Sequence, residues 1–169
     1  MSQDSSANKR PIEYKLARRE KRAECFLLLG VECENADDHE TAARLYRLGI
    51  ECGPTEIGTR YFLHNNLGYC LNRLRLHDEA ERMCLTAIGV DPRRFNAYKN
   101  LGLTRQGQGR YPEAAVLFLK AAHIFPFDLR SLNHLEEILA DHREGVELAI
   151  PDIGEHILAV IQARQEMLQ

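Results

Sequence analysis

The sequence predicts an all-α protein built from stacked pairs of helices. Five kinds of position recur 34 residues apart in the chain. The matched positions are Leu67 and Leu101, Gly68 and Gly102, Ala80 and Ala114, Ala87 and Ala121, and Pro92 and Pro126. A fixed period of this length is typical of helix–turn–helix repeats. One such pair of helices cannot bury its apolar face alone, so we expect neighbouring copies to stack and complete the core.

Three copies of the repeat can be placed in the chain, over residues 23–56, 61–94 and 95–128. Small residues at positions 8, 20 and 27 of each copy let its two helices approach closely, and larger residues at positions 4, 7, 11 and 24 fill the space between them. Four extra residues, Ile57–Arg60, separate the first two copies. The pattern is broken by His64 and Cys84 in apolar slots and by Arg105 at position 11.

The elements before and within the repeats follow from local signals. Residues 1–10 are small and polar and predict a disordered tail. Pro11 suits a first helical turn, so residues 11–22 predict a basic lead-in helix that runs without a break into the first repeat helix and ends near Asn35–Asp37. The other repeat helices are expected at about His39–Glu51, Gly58–Leu74, Asp78–Gly89, from Pro92 to Gln106, and from Pro112 to Ile124.

The 34-residue pattern fades after Phe127, and residues 129–169 predict two C-terminal helices. Leu132, Leu135 and Leu139 recur at helical spacing, so one helix should run to about His142. Arg143–Ile150 is interpreted as a connection. Pro151 should then start a last helix, with an apolar face formed by Ile153, Ile157, Leu158 and Ile161. Terminal repeats need a face that tolerates water, and we expect both helices to cap the array.

Composition and charge indicate an ordinary globular chain. The net charge is −3, with +4 in residues 1–22 and −7 in the remainder. No apolar run approaches the length of a membrane span, and no secretion signal is visible. Residue 2 is Ser2 and not the glycine that N-myristoylation requires. The cytoplasm is therefore the expected compartment. The five cysteines are odd in number and lack a Cys-x-x-Cys pair, so we expect free thiols.

The sequence predicts no enzyme, no metal site and no cofactor. Seven histidines are present without a His-Glu-x-x-His motif. The segment from Gly107 through Gly109 to Pro112 lacks the third glycine of a dinucleotide site, and Gly-x-Ser-x-Gly is absent. His64 and Cys70 are six residues apart and would lie on different faces of one helix. The basic arm could contact nucleic acid, but a solvated helix face is the preferred interpretation.

The repeat resembles that of the tetratricopeptide repeat (TPR) family, whose pattern includes Leu-Gly at positions 7 and 8, Ala at 20 and 27, and Pro at 32. The resemblance implies a right-handed superhelix of three TPR helix pairs, with an N-terminal lead-in helix and two C-terminal capping helices. In this family the first helix of each copy lines a concave groove. From the second and third copies this implies a peptide-binding groove formed by Phe62, Asn65, Asn66, Tyr69, Asn72, Arg73, Asn96, Lys99, Asn100, Leu103 and Gln106. From the first copy it adds Glu24, Leu27, Leu28, Val31, Glu34 and Asn35.

The resemblance implies a non-catalytic protein–protein interaction module, as a scaffold, adaptor or chaperone, that binds a peptide or partner helix. Some family members clamp the C-terminal carboxylate of chaperones with Lys and Asn at positions 5 and 9 of the first helix. Leu27 and Val31 occupy those positions here, so chaperone-tail binding is rejected as the leading hypothesis. The alternatives are a chaperone like those for type III secretion translocators, self-association as a homodimer, and nucleic-acid binding through the basic arm. No membrane partner is expected.

Overall fold

The structure is a computed structural model that describes the backbone of residues 9–169 and the side chains from Ile12 onward. Residues 1–8 of the predicted tail lie outside the described residues, and Lys9 already belongs to the first helix. The described chain is all-α, as predicted. Its helices are α1 (Lys9–Asn35), α2 (His39–Glu51), α3 (Ile57–Arg73), α4 (His77–Val90), α5 (Phe95–Gly107), α6 (Tyr111–Ile124), α7 (Leu129–Ala149) and α8 (Ile153–Glu166). None of the described helices is both long enough and apolar enough to cross a bilayer.

Consecutive helices pack in pairs, α1 with α2, α3 with α4, and α5 with α6. The lead-in segment and the first repeat helix form the single continuous helix α1, as the sequence predicts. The first helices of successive pairs also contact one another, because α3 packs against both α1 and α5. They therefore form one continuous side of the array.

A glycine at position 8 sets the close approach of the helices in each pair. Gly102 of α5 faces Phe118 of α6, and a Cβ atom added to this glycine would lie 2.7 Å from the phenylalanine ring. Gly30 meets Tyr46 in the same way in the first pair, and Gly68 meets Cys84 in the second. The residues at positions 8 and 24 therefore pack as a complementary pair in every copy. The repeat pattern in the sequence predicts this close packing of a small residue at position 8 with a larger one at position 24.

The charged residue at position 11 of the third copy is paired rather than buried alone. Arg105 donates two hydrogen bonds to the carboxylate of Glu81 in the preceding repeat, and its Nε lies 3.5 Å from Glu113. These hydrogen bonds hold the pKa of Glu81 below its usual range. Arg105 thus bridges α4, α5 and α6, so this departure from the apolar pattern joins two repeats.

The C-terminal helices share a core with the third repeat. Leu135, Ile138 and Val146 of α7 and Val160 of α8 are buried in one cluster with Phe118 of α6. These helices cover the apolar face that α6 would otherwise expose to water. The predicted apolar face of α8 is partly wrong, since Leu158 and Ile161 are exposed and Val160, which the prediction omits, is buried.

The predicted connection over Arg143–Ile150 is also wrong, because α7 continues to Ala149. The helix is interrupted at His142, whose backbone is non-helical (φ −132°, ψ 26°). Its ring stacks on Tyr111 of α6, with centroids 3.6 Å apart. The fully buried Val146 supplies the apolar contact that holds the second part of the helix. The last helix then begins at Ile153, two residues after Pro151.

The five cysteines all lie in the described part of the chain and are free thiols. Cys70 and Cys84 are buried, and burial raises the pKa of each thiol to about 12. A thiol with such a pKa is protonated at neutral pH and is a poor nucleophile. These two residues therefore act as small core side chains, which agrees with the prediction of free thiols.

The side chain of Glu20 on α1 caps the start of α3. Its Oε2 accepts hydrogen bonds from the backbone N–H groups of Thr55 (2.9 Å) and Glu56 (3.3 Å). Burial acts against ionisation, but hydrogen bonds from Thr59, Thr55 and Glu56 hold the pKa of Glu20 below its usual value. Capping interactions of this kind contribute about 1 kcal/mol. We expect Glu20→Ala to lower the free energy of unfolding by that amount at pH 7, measured by urea denaturation.

The stabilisation by Glu20 depends on its charge. Because its pKa is lower in the folded state, the contribution is present above the ordinary glutamate pKa and is lost as the pH falls through the folded value. The matched control is Glu13→Ala, since Glu13 is exposed on the same helix. An equal loss of stability in both variants, or a loss from Glu20→Ala that persists in acid, would contradict the capping role.

A candidate binding groove

An open groove of about 740 Å³ runs along the side formed by the first helices. The residues that line it come from α1, α3, α5 and α7. They are Leu27, Leu28, Val31, Glu34, Phe62, Asn65, Asn66, Tyr69, Asn72, Arg73, Asn96, Lys99, Asn100, Leu103, Arg130 and His134. The structure thus brings together the residues from the second and third copies that the TPR resemblance assigns to the groove, except Gln106. Gln106 lies in a neighbouring shallow depression with Arg75 and His77.

The groove has apolar and aromatic surfaces at its centre. Phe62 and Tyr69 of α3 are half-buried, so each presents part of its ring to the groove. The Phe62 ring packs edge-on against Tyr61, with centroids 5.4 Å apart, and the Arg94 guanidinium lies 4.9 Å from its centroid. Tyr69 packs edge-on against the ring of the buried His39 at 5.7 Å. Both aromatic rings are therefore held in place by side chains behind them.

A chain of hydrogen bonds along the groove floor links the three repeats. Asn100 donates to Asn65 Oδ1 (3.0 Å), and Asn65 donates to Asn66 Oδ1 (2.9 Å). Asn66 then donates to the Tyr46 hydroxyl (3.4 Å), which donates to Glu34 Oε2 (2.8 Å). Asn65 and Asn100 are only 6% and 4% exposed. Their amides therefore hold the repeats together, and Asn66, which is half-buried, is more accessible to a ligand.

Lys99 is also committed to the protein itself. Its side chain is buried, and Nζ donates to Asp128 Oδ2 at 3.3 Å. Burial lowers the pKa of Lys99, and Asp128 acts against that shift. Asp128 also accepts from the Arg130 Nε (2.7 Å) and from the Arg130 backbone N–H at the start of α7 (3.4 Å). The ammonium group of Lys99 therefore joins α5 to α7.

Glu34 is the only carboxylate among the described residues that line the groove. It is half-buried, and this burial raises the pKa of its side chain. Its Oε2 accepts from the Tyr46 hydroxyl and, at 3.8 Å, from the Cys70 thiol. Both donors are neutral, because burial raises the pKa of Tyr46 well above that of an ordinary tyrosine and raises that of Cys70 to about 12.

Arg130 and His134 of α7 line the groove without having been assigned to it from the sequence. They lie beyond the residues that follow the 34-residue pattern, so the repeat register gives no position for them. His134 stacks on Phe118 at 5.1 Å, and its Nδ1 lies 3.1 Å from Glu137. The sequence does contain one indication that Arg130 and His134 act together, because residues four apart share a face of a helix.

No protein-family model matches the sequence, and no curated protein sequence matches it. Similar solved structures exist, and several of them are TPR domains. The TPR domain of Arabidopsis OM64 is 20% identical over 73% of this chain and 98% of that domain, with a TM-score of 0.66. The first TPR domain of Spaghetti (RPAP3), bound to the HSP90 peptide SRMEEVD, is 19% identical over 72% of this chain and 95% of its own, with a TM-score of 0.65.

The second TPR domain of human RPAP3, in complex with the HSP70 peptide SGPTIEEVD, is 21% identical. The match covers 73% of this chain and 97% of that domain, with a TM-score of 0.62. At this level of identity the likeness establishes the fold. The chain has the TPR fold, which confirms the prediction made from the 34-residue spacing.

Proposed function

We propose that this TPR-fold protein is a non-catalytic interaction module that binds an extended peptide or a helix of a partner protein in the groove. The observation that supports this function best is the groove itself, which is open and is lined by side chains from all three repeats and from α7. Concave sites with apolar walls and a few polar groups are the usual binding sites of proteins. A scaffold, an adaptor and a chaperone would all use such a site.

The exposed groups in the groove suit a polypeptide ligand. Phe62 and Tyr69 offer aromatic surface for an apolar side chain of the ligand. The half-buried amides of Asn66, Asn72 and Asn96 carry both donors and acceptors, and these can pair with the peptide backbone whatever its sequence. Affinity would therefore come from a few aromatic contacts and backbone hydrogen bonds, as in other modes of peptide recognition.

The peptides bound by the two RPAP3 structures both end in EEVD. This chain carries Leu27 and Val31 at the first-helix positions that would hold a terminal carboxylate, and Lys99 is engaged by Asp128. Among the residues that the structure describes, the groove therefore has no free cation at these positions. We propose that its partner is recognised by other features than a C-terminal chaperone carboxylate.

The test of this function is Tyr69→Ala. Peptides selected from a random displayed library on the immobilised wild-type protein would be synthesised with a fluorescent label. We expect the variant to bind them at least about tenfold more weakly, because aromatic residues in a groove carry a large share of the binding energy. Fluorescence anisotropy titrations give the dissociation constants.

The matched control is Tyr14→Ala, which removes a tyrosine that is 65% exposed on the lead-in part of α1. This variant should bind the peptides like the wild type. Circular dichroism should give the same helix content for both variants. Equal affinities of Tyr69→Ala and the wild type would overturn the groove as the binding site.

A further inference from the structure

The end of the groove formed by the first repeat carries one carboxylate, Glu34, beside the apolar side chains of Leu27 and Val31. We propose that this end of the groove binds a lysine or arginine side chain of the partner, with its charged head on Glu34 and its methylene stem against Leu27 and Val31. The inference rests on the proposed function, since it assumes a polypeptide in the groove. It adds the chemical class of the residue that this polypeptide must present.

Glu34 forms no ion pair with any residue that the structure describes. The cations that line the groove are engaged elsewhere, since Lys99 and Arg130 both bind Asp128 and Arg73 lies 3.5 Å from Asp37. The charge of His39 acts against the raised pKa of Glu34, but the His39 Nε2 lies 2.9 Å from Asp37 and forms its ion pair there. Among the described residues, the carboxylate of Glu34 therefore has neutral hydrogen-bond donors only, from Tyr46 and Cys70.

A half-buried carboxylate without a counter-ion is unfavourable, because burial removes part of its hydration. The raised pKa of Glu34 reflects this cost. A cation from the ligand would provide the missing charge and form a charge-assisted hydrogen bond, which is stronger than a neutral one. A neutral side chain at the same place would leave the cost uncompensated, and an acidic side chain would increase it.

The position of the carboxylate is fixed before any ligand arrives. The donor that holds Oε2 is the hydroxyl of Tyr46, whose side chain is fully buried against Gly30 and whose oxygen also accepts from Asn66. No described donor occupies the second oxygen, Oε1. Because the Glu34 carboxylate is already oriented, binding of the ligand requires little further ordering of this side chain.

The apolar wall explains why a long cationic side chain is favoured. Leu27 and Val31 precede Glu34 on α1 at helical spacing, and all three line the groove. Lysine and arginine have aliphatic stems that pack on apolar surface while the charged head reaches a polar group. Both parts of such a side chain therefore find a partner at this end of the groove.

The experiment uses three pools of short peptides with blocked termini and otherwise uncharged random sequences. One central position is fixed as lysine, glutamate or norleucine, and the immobilised full chain is tested for the amount of each pool that it retains. We expect the wild type to retain the lysine pool about tenfold better than the glutamate pool, with the norleucine pool between them. In Glu34→Gln, which keeps an acceptor for Tyr46, the three pools should be retained almost equally.

Glu32→Gln is the control for net charge, because Glu32 is exposed on the same helix and does not line the groove. It should keep the preference for lysine. The wild-type measurement needs no variant to fold, so equal retention of the lysine and glutamate pools by the wild type overturns the inference. A lysine preference that survives in Glu34→Gln, or that is lost equally in Glu32→Gln, also overturns it.

The same pools separate this inference from the proposed function. If Tyr69→Ala lowers the retention of all pools while the wild type shows no charge preference, the groove binds peptides and the role of Glu34 is wrong. If Tyr69→Ala retains every pool as the wild type does, the proposed function is wrong, and the role assigned to Glu34 falls with it.

Discussion

Replacing Phe118 with alanine should lower the free energy of unfolding by about 3–5 kcal/mol, the cost typical of removing a buried phenylalanine from a packed core. Phe118 is fully buried in the cluster that unites α6, α7 and α8. Its ring fills the space above Gly102 and stacks on His134. The alanine variant would leave a cavity where the third repeat meets the C-terminal helices.

Urea denaturation followed by circular dichroism measures this loss. The control is Val116→Ala on the same helix, since Val116 is 46% exposed and its truncation should change the stability by about 0.5 kcal/mol or less. A loss below about 1 kcal/mol for Phe118→Ala would contradict the close packing at positions 8 and 24 that all three copies share.

Replacing Asp128 with alanine should have an effect of similar size, about 3–5 kcal/mol, because it removes one partner of a buried ion pair. Lys99, which is only 7% exposed, would then hold an ammonium group without its carboxylate partner. The variant also loses the acceptor that caps the first turn of α7. The free energy of unfolding at pH 7 should show both effects together.

A double variant separates the unpaired charge from the other effects. Lys99→Met combined with Asp128→Leu removes both charges and keeps apolar bulk at both positions. Such replacements of a buried pair are often nearly neutral. The double variant should therefore be more stable than Asp128→Ala alone. If the double variant is as unstable as Asp128→Ala, the loss of stability comes from the missing cap of α7 and not from an unpaired Lys99 ammonium group.

The repeat core could be predicted from the sequence because its contacts lie inside each copy. The spacing places Gly102 sixteen residues before Phe118, and this same separation recurs in the other two copies, so one pattern predicts three contacts. The face of α3 that carries Tyr69 follows in the same way from helical periodicity. These features depend only on residues that are near one another in the chain.

The roles of individual groove residues could not be predicted in that way. The register assigns Asn65, Asn100 and Lys99 to the groove, but it gives no information about the partners that engage them. Asn65 binds Asn100 of the next repeat, and Lys99 binds Asp128, which ends the third copy and caps α7. An amide or an ammonium at the border between groove and core can serve either side, and only the assembled structure shows which.

The C-terminal region shows the same limit for secondary structure. Arg143–Ile150 contains charged residues and Gly145, so its composition suggests a connection. The segment is helical because Val146 is buried and because the ring of His142 stacks on Tyr111 of another element. Tertiary contacts of this kind override the local preference of a short segment.

The hydrogen-bonded floor of the groove shows which copy of this array could be repeated. Solenoids built from interchangeable copies can gain or lose a unit, because each copy contacts only its neighbours through the same surface. Here Asn66 and Asn100 both occupy position 6 and both donate to the preceding copy, but Asn100 reaches Asn65, whereas Asn66 reaches the Tyr46 hydroxyl, which donates to Glu34. In a duplicated middle copy, the second Asn66 would take the place of Asn100 and face the first Asn65, so the hydrogen-bonded chain would continue through the added copy. The middle copy is therefore the unit that can be repeated, and the first copy ends the hydrogen-bonded chain with Tyr46 and Glu34.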